Sequence, residues 1–296
     1  MSSMNGKVVL ITGGARGVGA EVARRLRRQG AKLVLTDLDV EPLNALAAEL
    51  GSDHVVGVVA DVCDLASMEA AVAEGVERFG GIDVVMANAG IASYGSVLAV
   101  DPETFKRVLD VNVLGVFHTV RAALPSVIER QGYVLVVSSL AAYTASPGLA
   151  AYHASKAGAE YFANTLRLEV AHHGVDVGSA HMCWIDTPLV QDAKADLGAF
   201  GKMLKTLPGP LSKTTSVEKC GELFVKGIEG RKNRVNVPGW VGLFRFIRPL
   251  VQSKLGERDV RKATPTLLPE MDAEVAALGR SLSARSQALE REPAAH

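Results

Sequence analysis

Cysteine is scarce in this sequence. Cys63, Cys183 and Cys220 make an odd count in 296 residues with no short spacing, which excludes both a disulfide framework and a zinc site. Charge of one sign is also missing, since 32 Lys+Arg balance 32 Asp+Glu. A neutral chain lacks the basic excess that displaces counterions from phosphates, so no nucleic-acid partner is expected. No apolar run reaches the roughly 18 residues of a membrane span. Met1 to Lys7 is short and polar, so no signal peptide is expected and the chain reads as cytoplasmic. What is abundant is apolar residue, 48% of the chain, enough for a sizeable core.

The apolar residues fall in short continuous runs: Val8 to Thr12, Leu33 to Thr36, Val55 to Ala60, Val84 to Ala87, Tyr133 to Ser138, Val175 to Ala180 and Arg234 to Val237. Runs without alternation suit parallel strands covered on both faces. Between them lie helical patterns at Ala20 to Gln29, Glu41 to Leu50, Met68 to Phe79, Glu103 to Ile128 and Ser155 to His172. The expected fold is α/β, a doubly wound parallel sheet of Rossmann type in a single domain over 5–240, followed by a helical C-terminal extension over 241–296.

After the first strand comes Thr12-Gly13-Gly14-Ala15-Arg16-Gly17-Val18-Gly19, opening into a helix. Glycines there allow a tight turn and close approach of backbone N–H groups to a pyrophosphate at the helix N-terminus. A glycine cluster alone is weak evidence; its place between strand and helix strengthens it. Asp37, at the end of the second strand, is placed to accept both ribose hydroxyls of an adenosine and to repel a 2′-phosphate, which favours NAD. Arg16 argues for NADP, because a guanidinium in this loop can pair with that phosphate; Leu38 supplies no second base.

Tyr152 and Lys156 stand four apart in a helical pattern, on one face, and Ser139 ends the fifth strand. An ammonium beside a phenol favours the phenolate, so Lys156 can tune Tyr152 while Ser139 steadies a substrate oxygen. Singly each residue is ordinary. Their joint placement resembles the short-chain dehydrogenase/reductase family, and the resemblance extends over about residues 5–240.

That resemblance implies further roles. Asp61-Val62 would contact the adenine, Asn88-Ala89-Gly90 would line the cofactor, and Asn112 would hold a water linking Lys156 to solvent. Where the family has Pro-Gly before a Thr, this chain has Cys183-Trp184, followed by Ile185 and Thr187, which would meet the carboxamide and pyrophosphate. Trp184 therefore places a large ring at the nicotinamide end. Cys183 reads as a volume-filling thiol rather than a reactive one. His153, His172 and His173 have no metal-ligand spacing, and no metal is expected.

The activity implied is hydride transfer between a nicotinamide cofactor and an apolar secondary alcohol or ketone. Catalytic roles fall to Asn112, Ser139, Tyr152 and Lys156, and substrate contacts to Tyr94, Leu140, Tyr143, Leu149, Trp184, Phe200, Met203 and Leu204. Two alternatives remain: a 3-oxoacyl-thioester reductase using NADPH, and a non-catalytic dinucleotide sensor with Trp184 filling the site. Residues 191–210 read either as an apolar lid or as a surface helix with one buried face. In the extension, Trp240, Leu243, Phe244, Ile247, Leu250, Val251 and Leu255 recur at helical spacing, with Arg245, Arg248 and Arg258 off the stripe. It can pack on the domain or a neighbouring subunit, cover the substrate pocket, or lie on a membrane surface. The tail from Ser281 to His296 is polar and expected to fray. The family resemblance implies a homo-oligomer, a tetramer or a dimer.

Overall fold

The uninterrupted apolar runs form one parallel sheet in a computed structural model that describes residues 3–207 and 209–291. Its strands are β1 (Val8–Thr12), β2 (Lys32–Asp37), β3 (Val55–Val59), β4 (Val84–Ala87), β5 (Tyr133–Val137), β6 (Asp176–Met182) and β7 (Arg234–Val237). They lie in the order β3-β2-β1-β4-β5-β6-β7. The order reverses between β1 and β4, which pair with Leu10 opposite Val85, and this opens the crevice in which such sheets bind ligands.

Both faces are covered, which is why the strands do not alternate. On one face α1 (Gly17–Arg28), α2 (Val40–Leu50) and α9 (Val217–Glu229) bury Leu26, Leu43 and Phe224 against Ile11, Leu33 and Leu35. On the other, α3 (Leu65–Phe79), α5 (Gly115–Glu129) and α6 (Ala150–Val170) bury Val72, Val120 and Leu166 against Leu10, Val85 and Val136. β6 runs two residues past its expected end because β7 pairs with its last turn of chain, His181 opposite Asn236 and Met182 opposite Val237.

The helix expected over 103–128 is α4 (Pro102–Leu109) joined to α5 by one π-helical turn, Asp110–Leu114. Asp101 caps it by accepting from the Thr104 N–H, with Pro102 at its first position. By length and apolar content the span Pro102–Glu129 matches a membrane crossing. Here its inner face packs on the sheet through Val116, Val120 and Ala123.

Residues 188–206 form two short helices, α7 (Pro188–Asp196) and α8 (Gly198–Thr206). The extension is α10 (Phe244–Val251), α11 (Arg258–Leu278) and α12 (Ala284–Arg291). Met271 and Val275 of α11 share one cluster with Phe200, Met203 and Leu204 of α8. The expected fraying from Ser281 is corrected by the packing: Ser281, Leu282 and Ser283 are buried, Leu282 bridges Ser93, and the Tyr94 N–H donates to the Ser281 carbonyl at 2.9 Å. Polar side chains misled that reading, since it is the backbone and Leu282 that are held. Residues 292–296 of the same expectation lie outside the described residues.

Candidate active site

A cleft of about 450 Å³ runs across the C-terminal ends of the strands, from Gly13 at one end to Phe200 at the other. At the first end the β1–α1 turn is held by glycine geometry. Gly13 and Gly17 adopt φ of +62° and +53°, and a Cβ on Gly13 would stand 2.9 Å from the Ala89 Cα. On Gly19 it would stand 2.2 Å from the Gly13 carbonyl oxygen, so Gly19 supports the turn from behind and does not line the cleft. Asn88 ties the turn to β4, its Nδ2 donating to the carbonyls of Thr12 and Gly13 at 2.9 and 3.0 Å. A turn packed this closely brings Gly13, Arg16, Gly17 and Val18, at the N-terminal end of α1, to the cleft wall, where the helix end suits a pyrophosphate.

Asp37 borders the same end and accepts from the N–H groups of Ala15 and Asp39 at 3.0 and 3.2 Å. Burial pushes its carboxyl above the ordinary range, and these backbone hydrogen bonds pull the other way. Arg16 is already engaged: its guanidinium meets Asp39 at 2.7 Å. The group that argued for a 2′-phosphate is thus matched by a carboxylate, while Asp37 stays in the cleft wall. Val18, Asp61, Val62, Ala89 and Gly90 complete this half, with Ile185 and Thr187 opposite.

The Ser-Tyr-Lys set converges at mid-cleft. Ser139 Oγ accepts from the Ala141 N–H at 3.1 Å and donates to the Met182 carbonyl at 3.3 Å. Burial raises Tyr152, and a hydrogen bond from Ser139 offsets part of the rise. Lys156, buried on the next turn of α6, donates from Nζ to the Val137 carbonyl at 3.0 Å and is pushed down to about 8 by desolvation. Asn112, fully buried in the π-helical turn, does not reach the cleft surface. Its Nδ2 donates to the Ile91 carbonyl and to Ser155 Oγ, both at 2.9 Å, and its Oδ1 accepts from the Ile91 N–H at 2.9 Å. Gly90 separates it from Lys156: a Cβ there would lie 3.2 Å from Asn112 Oδ1 and 3.3 Å from Lys156 Nζ.

Beyond Tyr152 the wall is made by Tyr94, Leu140, Leu149, Trp184 and Phe200 among others. The Trp184 ring stands edge-on to Phe200 at 5.5 Å, as does Tyr94, so it forms a wall and leaves the cleft continuous. Cys183 is buried, its thiol pushed up to about 11, which opposes reactivity.

Three expected substrate contacts lie elsewhere. Met203 and Leu204 turn away from the cleft, under α11. Tyr143 points into a buried polar cluster, bonding Glu160 at 3.0 Å and His181 at 3.1 Å, with its ring stacked 4.6 Å from the imidazole. His181 also meets Ser179 Oγ at 2.8 Å and, through Nδ1, the Ser139 carbonyl at 3.3 Å. Burial holds it down to about 3, so it is neutral.

Other residues join the site without having been expected there. His153, beside Tyr152, accepts from the Ser146 N–H at 3.0 Å and meets the Ala141 carbonyl at 2.8 Å, pinning the segment after Ser139. Its position within Tyr-x-x-x-Lys was the only available signal. The extension supplies Phe244, Val251, Val260 and, from the first turn of α12, Arg285, which pairs with Asp192 at 3.6 Å. Phe244 and Val251 belong to the apolar stripe; nothing in the local sequence marks Arg285.

Comparison with known proteins gives a match to the short chain dehydrogenase family over residues 7–198. An NAD-dependent oxidoreductase of Mycobacterium tuberculosis is 35% identical over 217 residues, covering 68% of this chain and 78% of that one. A (−)-trans-carveol dehydrogenase of Rhodococcus erythropolis is 36% identical over 210 residues, covering 65% and 76%. Among solved structures, a 3-ketoacyl-(acyl-carrier-protein) reductase from Brucella melitensis complexed with NADH superposes with a TM-score of 0.71 at 28% identity, covering 79% and 97%.

Proposed function

The chain belongs to the short-chain dehydrogenase family and is an oxidoreductase, and from that premise we propose that it acts with NAD on an apolar secondary alcohol or its ketone. The observation that carries this reading is the convergence of Ser139, Tyr152 and Lys156 on one cleft that has Asp37 at its far end and an apolar wall beyond Tyr152. When bound, NAD supplies the acceptor, or as NADH the donor, of the hydride. Gly13, Arg16, Gly17 and Val18 would hold its pyrophosphate end, Asp37 its adenosine ribose, Asp61 and Val62 the adenine, and Ile185 and Thr187 the nicotinamide side.

The chain's own part is proton handling and orientation. Tyr152 exchanges the proton of the substrate oxygen, and Ser139 fixes that oxygen by a hydrogen bond. The Lys156 ammonium, 5.7 Å from the centre of the Tyr152 ring, would favour its phenolate by charge, against the burial that raises it. Asn112 acts one layer back, holding Ile91 and Ser155 and so the spacing of Gly90 and Lys156. The wall beyond Tyr152 is mainly apolar, and where it carries charge Arg285 is paired with Asp192.

The carveol relative supports the alcohol reading. The Brucella neighbour favours a second one, a 3-oxoacyl thioester at the same site. Exposed Phe117, Tyr161 and Leu168 on α5 and α6 support pairing of copies of this chain through those helices. Its three free cysteines support a reducing, cytoplasmic setting.

The test is NADH formation from a panel of apolar secondary alcohols, with Tyr152→Phe as the variant. The variant should lose about 10²–10⁴-fold in kcat, the range for a positioned acid–base group, and still bind NADH. Near-normal turnover by Tyr152→Phe would remove the assignment.

A further inference from the structure

We infer that the outer face of α10 and the turn after it dock on an anionic lipid bilayer. The inference goes beyond the reaction proposed above and does not depend on which substrate is turned over. It starts from large apolar side chains left exposed on one face of a short helix. Leu243, Phe246 and Leu250 are 55%, 76% and 60% exposed, and Leu255 in the following turn is 72% exposed. Leu243, Phe246 and Leu250 stand at i, i+3 and i+7, on one side of the helix, so the exposed apolar atoms are contiguous rather than scattered.

The charge around that face is mainly positive. Residues 240–262 hold six Lys and Arg against two acids, in a chain whose overall charge is zero. Arg245, Lys254, Arg258 and Lys262 are exposed. Apolar side chains flanked by lysine and arginine on a short amphipathic helix suit the boundary between headgroups and acyl chains, where both contributions add. A second copy of this chain is a poorer fit, because a two-fold contact would set the same excess of positive charge against itself.

The opposite side of the helix gives the location a use. Phe244 and Val251 of α10, with Val260 of α11, line the cleft beside the apolar wall. One helix is therefore both the roof of the site and the surface that would rest on lipid. An apolar ligand dissolved in the membrane would meet the cleft at its own rim.

The experiment is sedimentation of the full-length protein with vesicles of phosphatidylcholine alone and of phosphatidylcholine with phosphatidylglycerol. Binding is expected to the anionic vesicles and to be at least about tenfold weaker to the neutral ones. Phe246→Ser/Leu250→Ser, which alters no residue lining the cleft, should keep the wild-type melting temperature and lose about tenfold or more of that binding. Arg245→Gln/Lys254→Gln should bind both vesicles alike. No binding by the wild type, or undiminished binding by the serine variant, overturns the proposal. So does a fall in oligomer size of the serine variant in vesicle-free sedimentation velocity, which would assign the face to a second copy.

Discussion

Lys156 holds its ammonium nitrogen 5.7 Å from the centre of the Tyr152 ring, in a setting dry enough to bring its pKa from 10.5 to about 8. Burial makes the charged form expensive in the folded chain. The penalty is full below pH 8, where both folded and unfolded chains are protonated, and it fades as pH rises from about 8 to 10.5. Lys156→Met should therefore stabilise the free protein at pH 7 by about 2 kcal/mol, the shift's worth less a hydrogen bond, and abolish turnover. Urea unfolding at pH 7 and pH 10 measures it. The gain should shrink at the higher pH, and a variant less stable at both would contradict the argument.

Asp37 is expected to set cofactor choice. Wild type should bind NADH more tightly than NADPH, and Asp37→Ala should lose about tenfold or more in NADH affinity while narrowing that gap, as when a charged acceptor is removed. Because burial raises its pKa, NADH affinity should also begin to fall on acidification before the ordinary value of 3.8 is approached. Fluorescence titration across pH follows both effects. An NADPH preference in the wild type would reverse the assignment.

His181 should leave a mark on acid stability. Its pKa is about 3 in the fold against 6.5 ordinarily, so above pH 6.5 it is neutral in both states and contributes no slope. As pH falls from 6.5 toward 3 the unfolded chain takes up a proton that the native one refuses, and stability drops by about 1.4 kcal/mol per pH unit from this group alone. His181→Gln should remove one proton's worth of that slope. Unchanged pH dependence between pH 6 and 4 would count against a buried neutral imidazole.

Gly90→Ala tests the spacing between Asn112 and Lys156. A methyl group there sits 3.2 and 3.3 Å from their polar atoms, so one of them must yield by a few tenths of an ångström. Folding should suffer by only about 1 kcal/mol. Turnover should fall by about tenfold or more, since small misplacements of a reacting group are costly. Steady-state kinetics with a melting curve separates the two, and full activity would show that this spacing is not needed.

Much of the architecture was legible because it rests on local rules. Continuous runs such as Val8 to Thr12 and Tyr133 to Ser138 signalled strands buried on both sides, and Tyr152 and Lys156 had to share a helix face. What escaped depended on partners far away in sequence. The apolar pattern drew Met203 and Leu204 toward the substrate and gave no sign that α11 covers them. Tyr143 was drawn off the cleft by Glu160 and His181, and His181 entered the sheet only because β7 extends β6. Asn112 sits in a π-helical turn that a 3.6-residue period does not show.

The bridge between Ser93 and Leu282 joins two points separated by most of the chain. During synthesis on the ribosome the strands and the Tyr152–Lys156 helix emerge well before Leu282 and Arg285 do. A nascent chain can thus assemble its dinucleotide half and its proton-handling residues while one wall of the site is still untranslated. Arg285, which helps close the site, is made after that machinery, so competence for the substrate waits until this segment has emerged.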